Sequence, residues 1–128
     1  MIDLEFLKNK KVLITGHTGF KGRWLSLIFA DCGIKMIGIS ADDIFKKESR
    51  FLFSAIDVRE YFCDIKDADS INKIVSIEKP DVVINMAAQS LVNESINHPE
   101  ESIATNILGF TNIFLASLRL DKKVFFLN

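Results

Sequence analysis

Apolar residues along this chain fall into two alternating patterns. One is a short run of adjacent apolar, often β-branched residues. The other is a longer stretch in which apolar positions recur every three or four residues. Lys11 to Thr15 (KVLIT) is of the first kind and is halted by Gly16, which predicts a strand buried on both faces. Phe20 to Asp31 is of the second kind, with Trp24, Leu25, Leu27, Ile28 and Phe29 at helical spacing and Gly33 placed to cap the end. Lys35 to Ser40 (KMIGIS) predicts a second strand, and Val58 to Cys63 (VREYFC) a third. The intervening Ile44 to Ile56 mixes charges with Phe51-Leu52-Phe53 and reads as a loop carrying a short helix. Asp67 then caps a helix with Ile71, Ile74, Val75 and Ile77 on one side, and Pro80 marks its exit. Asp81 to Met86 (DVVINM) predicts strand four. Pro99 suits a first helical position, and Glu100 and Glu101 complement the dipole of the helix it opens. That helix runs through Ile103, Ile107, Phe110 and Phe114 to about Arg119, and Lys123 to Leu127 (KVFFL) predicts strand five.

Strands separated by helices pair in parallel through right-handed crossovers. The expected fold is therefore α/β: a Rossmann-type, doubly wound parallel sheet of strand order 3-2-1-4-5, with helices on both faces. Residues 1–128 form one domain with no repeat or linker. Such sheets bind ligands beyond the carboxyl ends of strands one and four, where the winding reverses.

Composition narrows the partners. Sixteen basic residues face seventeen acidic ones, scattered and without an arginine-rich tract, so neither nucleic acid nor an anionic membrane is an expected partner. Cys32 and Cys63 are far apart with no clustered histidines, which excludes metal-ligand spacing and reads as two buried thiols in a reducing compartment. No apolar run approaches the ~20 residues that span a bilayer, and the first residues do not resemble a signal peptide. A cytoplasmic protein is expected.

The chemistry is concentrated between strand one and the first long helix, at Gly16-His17-Thr18-Gly19-Phe20-Lys21-Gly22. Gly16 lets the chain turn off the strand, Gly19 leaves the backbone open to a pyrophosphate, and Gly22 allows close helix–sheet packing. The free amides of the first helical turn, with the helix dipole, then face the phosphates. Asp42 follows strand two, twenty positions past Gly22, where an acid accepts the ribose hydroxyls and disfavours a 2′-phosphate; NAD is therefore the expected cofactor. Asp43 is the alternative acid. His17 has no second ligand nearby, and His98 before Pro99 reads as structural.

The spacing G-x-x-G-x-x-G resembles the short-chain dehydrogenase/reductase superfamily, in its extended, sugar-nucleotide branch. Cys63-Asp64-Ile65-Lys66-Asp67 resembles the segment after strand three that meets the adenine, which implies cofactor contacts for Asp64 and Ile65. Asn85-Met86-Ala87-Ala88-Gln89-Ser90 resembles the H-L-A-A-Q after strand four, so Ala87 and Ala88 are expected at the cofactor and Gln89 and Ser90 beside the sugar. Thr105-Asn106-Ile107-Leu108-Gly109 resembles T-N-V-x-G, which implies a place for Asn106 near the nicotinamide. The phrase from Ile14 to Gly22 is most similar to CDP-glucose 4,6-dehydratases, from which Arg23 departs where a serine is usual. The cofactor set expected is thus Gly16, Thr18, Gly19, Phe20, Lys21, Gly22, Asp42, Asp64, Ile65, Ala87, Ala88 and Asn106.

Enzymes of that family oxidise the hexose at C4 with NAD, eliminate water across C5–C6 and return the hydride to C6. The resemblance implies a Tyr-x-x-x-Lys pair and an acid–base segment just after strand five. Neither is in the chain: its one tyrosine, Tyr61, has Ile65 four positions on. The resemblance makes this about the first third of such an enzyme, its sheet truncated after strand five. No catalytic residue is assigned, and the isolated chain is expected to be inactive. A nucleotide-sugar substrate is the partner implied for the complete enzyme. With strand five left as an apolar edge, a homo-oligomer is expected. Two other readings stay open: a non-enzymatic dinucleotide-binding or interaction module, and part of a UDP-sugar epimerase or reductase.

Overall fold

In the computed structural model, residues 4–41, 58–88 and 92–128 are described. Five strands, β1 (Lys11–Thr15), β2 (Lys35–Ser40), β3 (Val58–Phe62), β4 (Val82–Asn85) and β5 (Phe125–Leu127), pair in parallel in the order β3-β2-β1-β4-β5. This is the doubly wound Rossmann sheet expected from the alternation of patterns. The register sets Thr15 opposite Ile39 on one side and Asn85 on the other, so the carboxyl ends of β1, β2 and β4 finish level.

Period-two alternation sends neighbouring strand residues to opposite faces. Leu13, Ile37, Ile39 and Val83 pack on one face with Ile71, Ile74 and Val75 of α3 (Ala68–Glu78) and Ile113 and Ala116 of α6 (Phe110–Leu118). Val12, Ile14, Met36 and Val82 pack on the other with Phe29 of α2 (Phe20–Asp31), and Leu4 and Leu7 around the short α1 (Glu5–Lys8) lean against them. Gly22, Ser26 and Phe29 form the buried stripe of α2, while Trp24 and Ile28 are exposed. Cys32 and Cys63 are half-buried and unpaired rather than fully enclosed.

Asp67 caps α3 by accepting the Ser70 backbone N–H at 3.2 Å, and Lys79 ends it in the left-handed region at φ 47°. The strands are shorter than the apolar runs: Cys63, Asp81, Met86, Lys123 and Val124 lie outside the ladder. The helix expected from Pro99 to Arg119 is broken in kind. It comprises α5 (Pro99–Ile103), a π-helical stretch (Ala104–Gly109) and α6, preceded by the unanticipated α4 (Val92–Asn97). Side-chain periodicity does not distinguish one wide turn from a regular one. No helix among the described residues is long and apolar enough to cross a membrane.

Polar bonds tie the amino-terminal end of the sheet. Asp81 accepts the backbone N–H of Lys11 at 2.8 Å and Nζ of Lys122 at 2.5 Å. Glu78, 2% exposed, accepts from Tyr61 Oη at 2.5 Å and Arg59 at 3.0 Å. Burial pushes the Glu78 carboxyl up, but the Tyr61 and Arg59 hydrogen bonds and the charges of Arg59 and Lys11 outweigh it and leave it below its ordinary value. The Lys11 amide, then Lys122, hold Asp81 below its ordinary value too. A carboxylate depressed on folding adds stability above its unfolded pKa and loses that contribution as pH falls through the folded one. Thermal melts should therefore be flat near neutrality and drop below about pH 4. Asp81→Asn should lower stability at neutral pH by about 1 kcal/mol and flatten the acid limb. An unchanged acid limb in the variant would refute this assignment.

Candidate functional site

The turn after β1 is fixed by contact. Gly16 has a φ of +71°, and its N–H donates to the Ile39 carbonyl at 2.7 Å. A Cβ on Gly16 would stand 2.9 Å from the Met86 and Ala87 backbone. A Cβ on Gly22 would stand 2.1 Å from the Gly16 carbonyl oxygen, so α2 begins directly against the end of β1. Gly19 donates to the Gly16 carbonyl at 3.0 Å, and Arg23 donates to the Gly19 carbonyl at 2.9 Å. The amides of Phe20, Lys21 and Gly22 occupy the first three helical positions, where no helical carbonyl precedes them. They are the donors that this turn offers to an anion.

Two polar anchors hold the turn from below. The Thr15 hydroxyl accepts the Met86 and Ala87 amides at 3.2 and 3.1 Å and donates to Asn85 Oδ1 at 2.6 Å. This joins the ends of β1 and β4. His17 is fully buried, with Nε2 2.8 Å from Glu60 Oε1 and Nδ1 2.9 Å from Ser40 Oγ. Ser40 Oγ also accepts the Thr18 amide at 3.2 Å. The two anchors place β1, β2, β3 and β4 in one fixed arrangement beneath the glycine turn.

The far wall is the loop after β3. Lys66 donates its amide to Asp64 Oδ1 at 2.8 Å, which closes a tight turn. Asn112 on α6 donates Nδ2 to the carbonyls of both Ile65 and Lys66 at 3.0 Å. Gly109 lies against Ile65 so closely that a Cβ there would be 2.2 Å from Ile65 Cδ1. The π-helical stretch thus spans two fixed points, Thr105 on the cavity wall and Gly109 against the loop. Lys66 Nζ lies 3.5 Å from Asp64 Oδ2 and 3.4 Å from Glu101 Oε1. Burial lowers the Lys66 pKa, but the two carboxylates outweigh it and keep the ammonium charged. Burial, then Asp67 and Asp64, push the Cys63 thiol up, so it is not an activated nucleophile.

These walls enclose an open cavity of about 750 Å³. Of the expected cofactor residues, Gly16, Thr18, Gly19, Phe20, Lys21, Gly22, Asp64, Ile65, Ala87 and Ala88 line it together. Asn106 does not line it; its neighbour Thr105 does. Asp42, Gln89 and Ser90 lie outside the described residues. The cavity adds Ser40, Ala41, Lys66, Asn85, Met86 and Glu101. Ser40 had a legible signal, its place at the end of strand two. Glu101 had none, because its approach depends on how the helices cross. Tyr61 is committed to Glu78 and does not reach the cavity. Among the described residues no group of three or more His, Cys, Asp or Glu is arranged to hold a metal. The cavity wall facing the glycine turn is mostly backbone, and Cys63, the thiol nearest its far wall, is not an activated nucleophile.

The family model described as GDP-mannose 4,6 dehydratase matches residues 13–128. The chain is 36% identical over 114 residues to a CDP-glucose 4,6-dehydratase of Salmonella typhimurium, covering 88% of this chain and 32% of that protein. A UDP-glucose 4-epimerase of Thermotoga maritima, solved with UDP-glucose, superposes with a TM-score of 0.75 at 25% identity, over 85% of this chain and 34% of that one. The UDP-glucose 4-epimerase of Thermus thermophilus, solved with NAD, shares the fold at a TM-score of 0.73 and 24% identity, over 83% of this chain and 33% of that one. The chain spans about a third of the length of these relatives.

The docking of the loop on α6 is open to test. Asn112→Ala removes two hydrogen bonds to carbonyls that the helix otherwise covers, and it should cost about 1–2 kcal/mol in urea unfolding. Hydrogen exchange should rise at the amides of Lys66 and Asp67 before it rises in β1. Uniform exchange across the sheet would show that the loop is held by other contacts.

Proposed function

Because the chain belongs to the GDP-mannose 4,6-dehydratase family, we propose that it is the NAD-holding N-terminal part of a nucleotide-sugar 4,6-dehydratase that acts on CDP-glucose. The observation that carries this reading is the turn from Gly16 to Gly22, whose three free helical amides open on the cavity beside Asp64 and Ala87. The residues fit a dinucleotide: Gly16 and Gly22 let the turn close on β4 and on the end of β1, Gly19 leaves the turn without a side chain, and Ile65 and Ala87 line the cavity with apolar groups for a planar base. NAD, when bound, supplies the nicotinamide carbon that accepts and returns a hydride.

Asp42, by its distance from Gly22, selects the ribose hydroxyls of NAD over a 2′-phosphate, and Gln89 and Ser90 border the sugar. Asn106 is assigned to the nicotinamide end by the resemblance of Thr105-Asn106-Ile107-Leu108-Gly109 to T-N-V-x-G, although its neighbour Thr105 is the residue on the cavity wall. The choice of CDP-glucose rests on the phrase Gly16-His17-Thr18-Gly19-Phe20-Lys21-Gly22 and on the identity with the Salmonella typhimurium enzyme. These residues hold cofactor and do not turn it over. The sole tyrosine is hydrogen-bonded to Glu78, does not line the cavity and has no lysine four positions on.

Calorimetry on the chain should detect NAD binding, with NADP weaker by tenfold or more, about 1.4 kcal/mol. Asp42→Asn should narrow that gap. With NAD and CDP-glucose together, no 4-keto-6-deoxy product should form. Absence of heat and of thermal shift with NAD would sink the reading. Product formation would sink the claim of inactivity.

A further inference from the structure

Glu60, His17 and Ser40 form a line of hydrogen bonds whose direction is determined by its first member. A carboxylate only accepts, and a neutral imidazole has one donor and one acceptor nitrogen. Glu60 Oε1 lies 2.8 Å from Nε2, so in a neutral ring the one proton sits on Nε2 and Nδ1 is the acceptor. Nδ1 then takes the Ser40 hydroxyl hydrogen across 2.9 Å. The Thr18 amide, 3.2 Å away, occupies one lone pair of Ser40 Oγ. One lone pair is left, and Ser40 lines the cavity.

The ring is locked in place as well as in direction. His17 lies over Gly38, where a Cβ would come within 2.5 Å of the imidazole carbons. A glycine in the middle of a buried strand is costly unless something fills its space, and here the ring does. The arrangement spans the glycine turn, β2 and β3, so no single element sets it.

We infer that Glu60, acting through His17, fixes Ser40 as a hydrogen-bond acceptor toward the cavity, which makes Ser40 a specificity-determining residue that takes a ligand hydroxyl and refuses a phosphate oxygen. A phosphate oxygen offers lone pairs to a lone pair, whereas a ribose hydroxyl brings the missing hydrogen. With the opposite direction, Ser40 would offer its hydrogen to the cavity and the preference would reverse. Glu60 and His17 are positioning residues in this scheme. The choice of ligand rests on the dinucleotide reading above; the direction of the relay does not.

The test has two arms on the full chain. Long-range proton–nitrogen correlation at neutral pH reads the ring directly, with His98→Gln assigning the two histidines. His17 should be protonated at Nε2 alone; a ring protonated at Nδ1, or at both nitrogens, overturns the inference. In binding, Ser40→Ala should weaken NAD about fivefold and leave NADP unchanged or tighter, so that their ratio falls. Glu60→Gln, whose amide can donate to Nε2 and reverse the line, should also lower the ratio while its melting curve stays close to that of the natural chain. An unchanged ratio in both variants overturns the specificity role. If the natural chain binds neither dinucleotide, the NAD reading fails, and the ring's protonation alone decides the relay.

Discussion

Everything at the carboxyl end of the sheet depends on how closely the start of α2 approaches the end of β1. The Gly16 carbonyl sits where a Cβ of residue 22 would be, at 2.1 Å, so the contact exists only with hydrogen at that position. Close approach fixes the phase of α2. That phase aims the first three amides at the cavity and buries Gly22, Ser26 and Phe29 on the sheet. His17, between the two glycines of this contact, is fully buried against Gly38. The glycine turn is therefore a packing constraint first, and the free amides at the start of α2 are its consequence.

The two ends of the sheet use polarity differently. On the amino-terminal side, Glu78 and Asp81 are satisfied by Tyr61, Arg59, Lys11 and Lys122, and neither carboxylate lines the cavity. Those bonds close the sheet and contribute stability. At the carboxyl end, Thr15 and His17 carry the same kind of burden, while the glycine turn and Ser40 line the cavity. Rigidity at that end comes from buried side chains beneath the turn, and the ligand-facing groups are mostly backbone. A side chain there would obstruct a pyrophosphate; an amide directed by a helix start does not.

Much of this was legible in the sequence, and the reasons for the rest are physical. The strands and their order follow from apolar runs alternating with helical spacing, because each run must be covered on two faces. The residues from Gly16 to Gly22 cluster as expected, since turn chemistry is local and glycine spacing reports it directly. What periodicity could not carry was contact between distant segments. The role of Gly38 depends on a ring twenty-one positions earlier, and Glu101 reaches the wall through a helix crossing. His17 carried no metal-ligand signal, and its partners Ser40 and Glu60 come together only when β2 and β3 pair in register. The π-helical stretch has no signature in spacing, because Ile103 and Ile107 are four apart in either kind of turn.

Holding a cofactor and using it are separable in this architecture. The glycine turn needs only β1, α2 and the neighbours that set their approach, all of which lie within these residues. Proton transfer at a bound sugar needs a base in the cavity, and the one phenol of the chain is held by Glu78 and does not line it. Hydrogen bonding to Glu78 and burial raise the Tyr61 pKa, which leaves even less of it ionised near neutrality than of a free phenol. A tyrosine that acts as a base in this branch of folds needs the opposite treatment, a cation that lowers its pKa. Arg59 supplies a cation to Tyr61, yet the carboxylate between them dominates. Tyr61 is thus a strut for β3 and α3, and the physical distinction between strut and base is whether the nearest charge is Glu78 or a lysine.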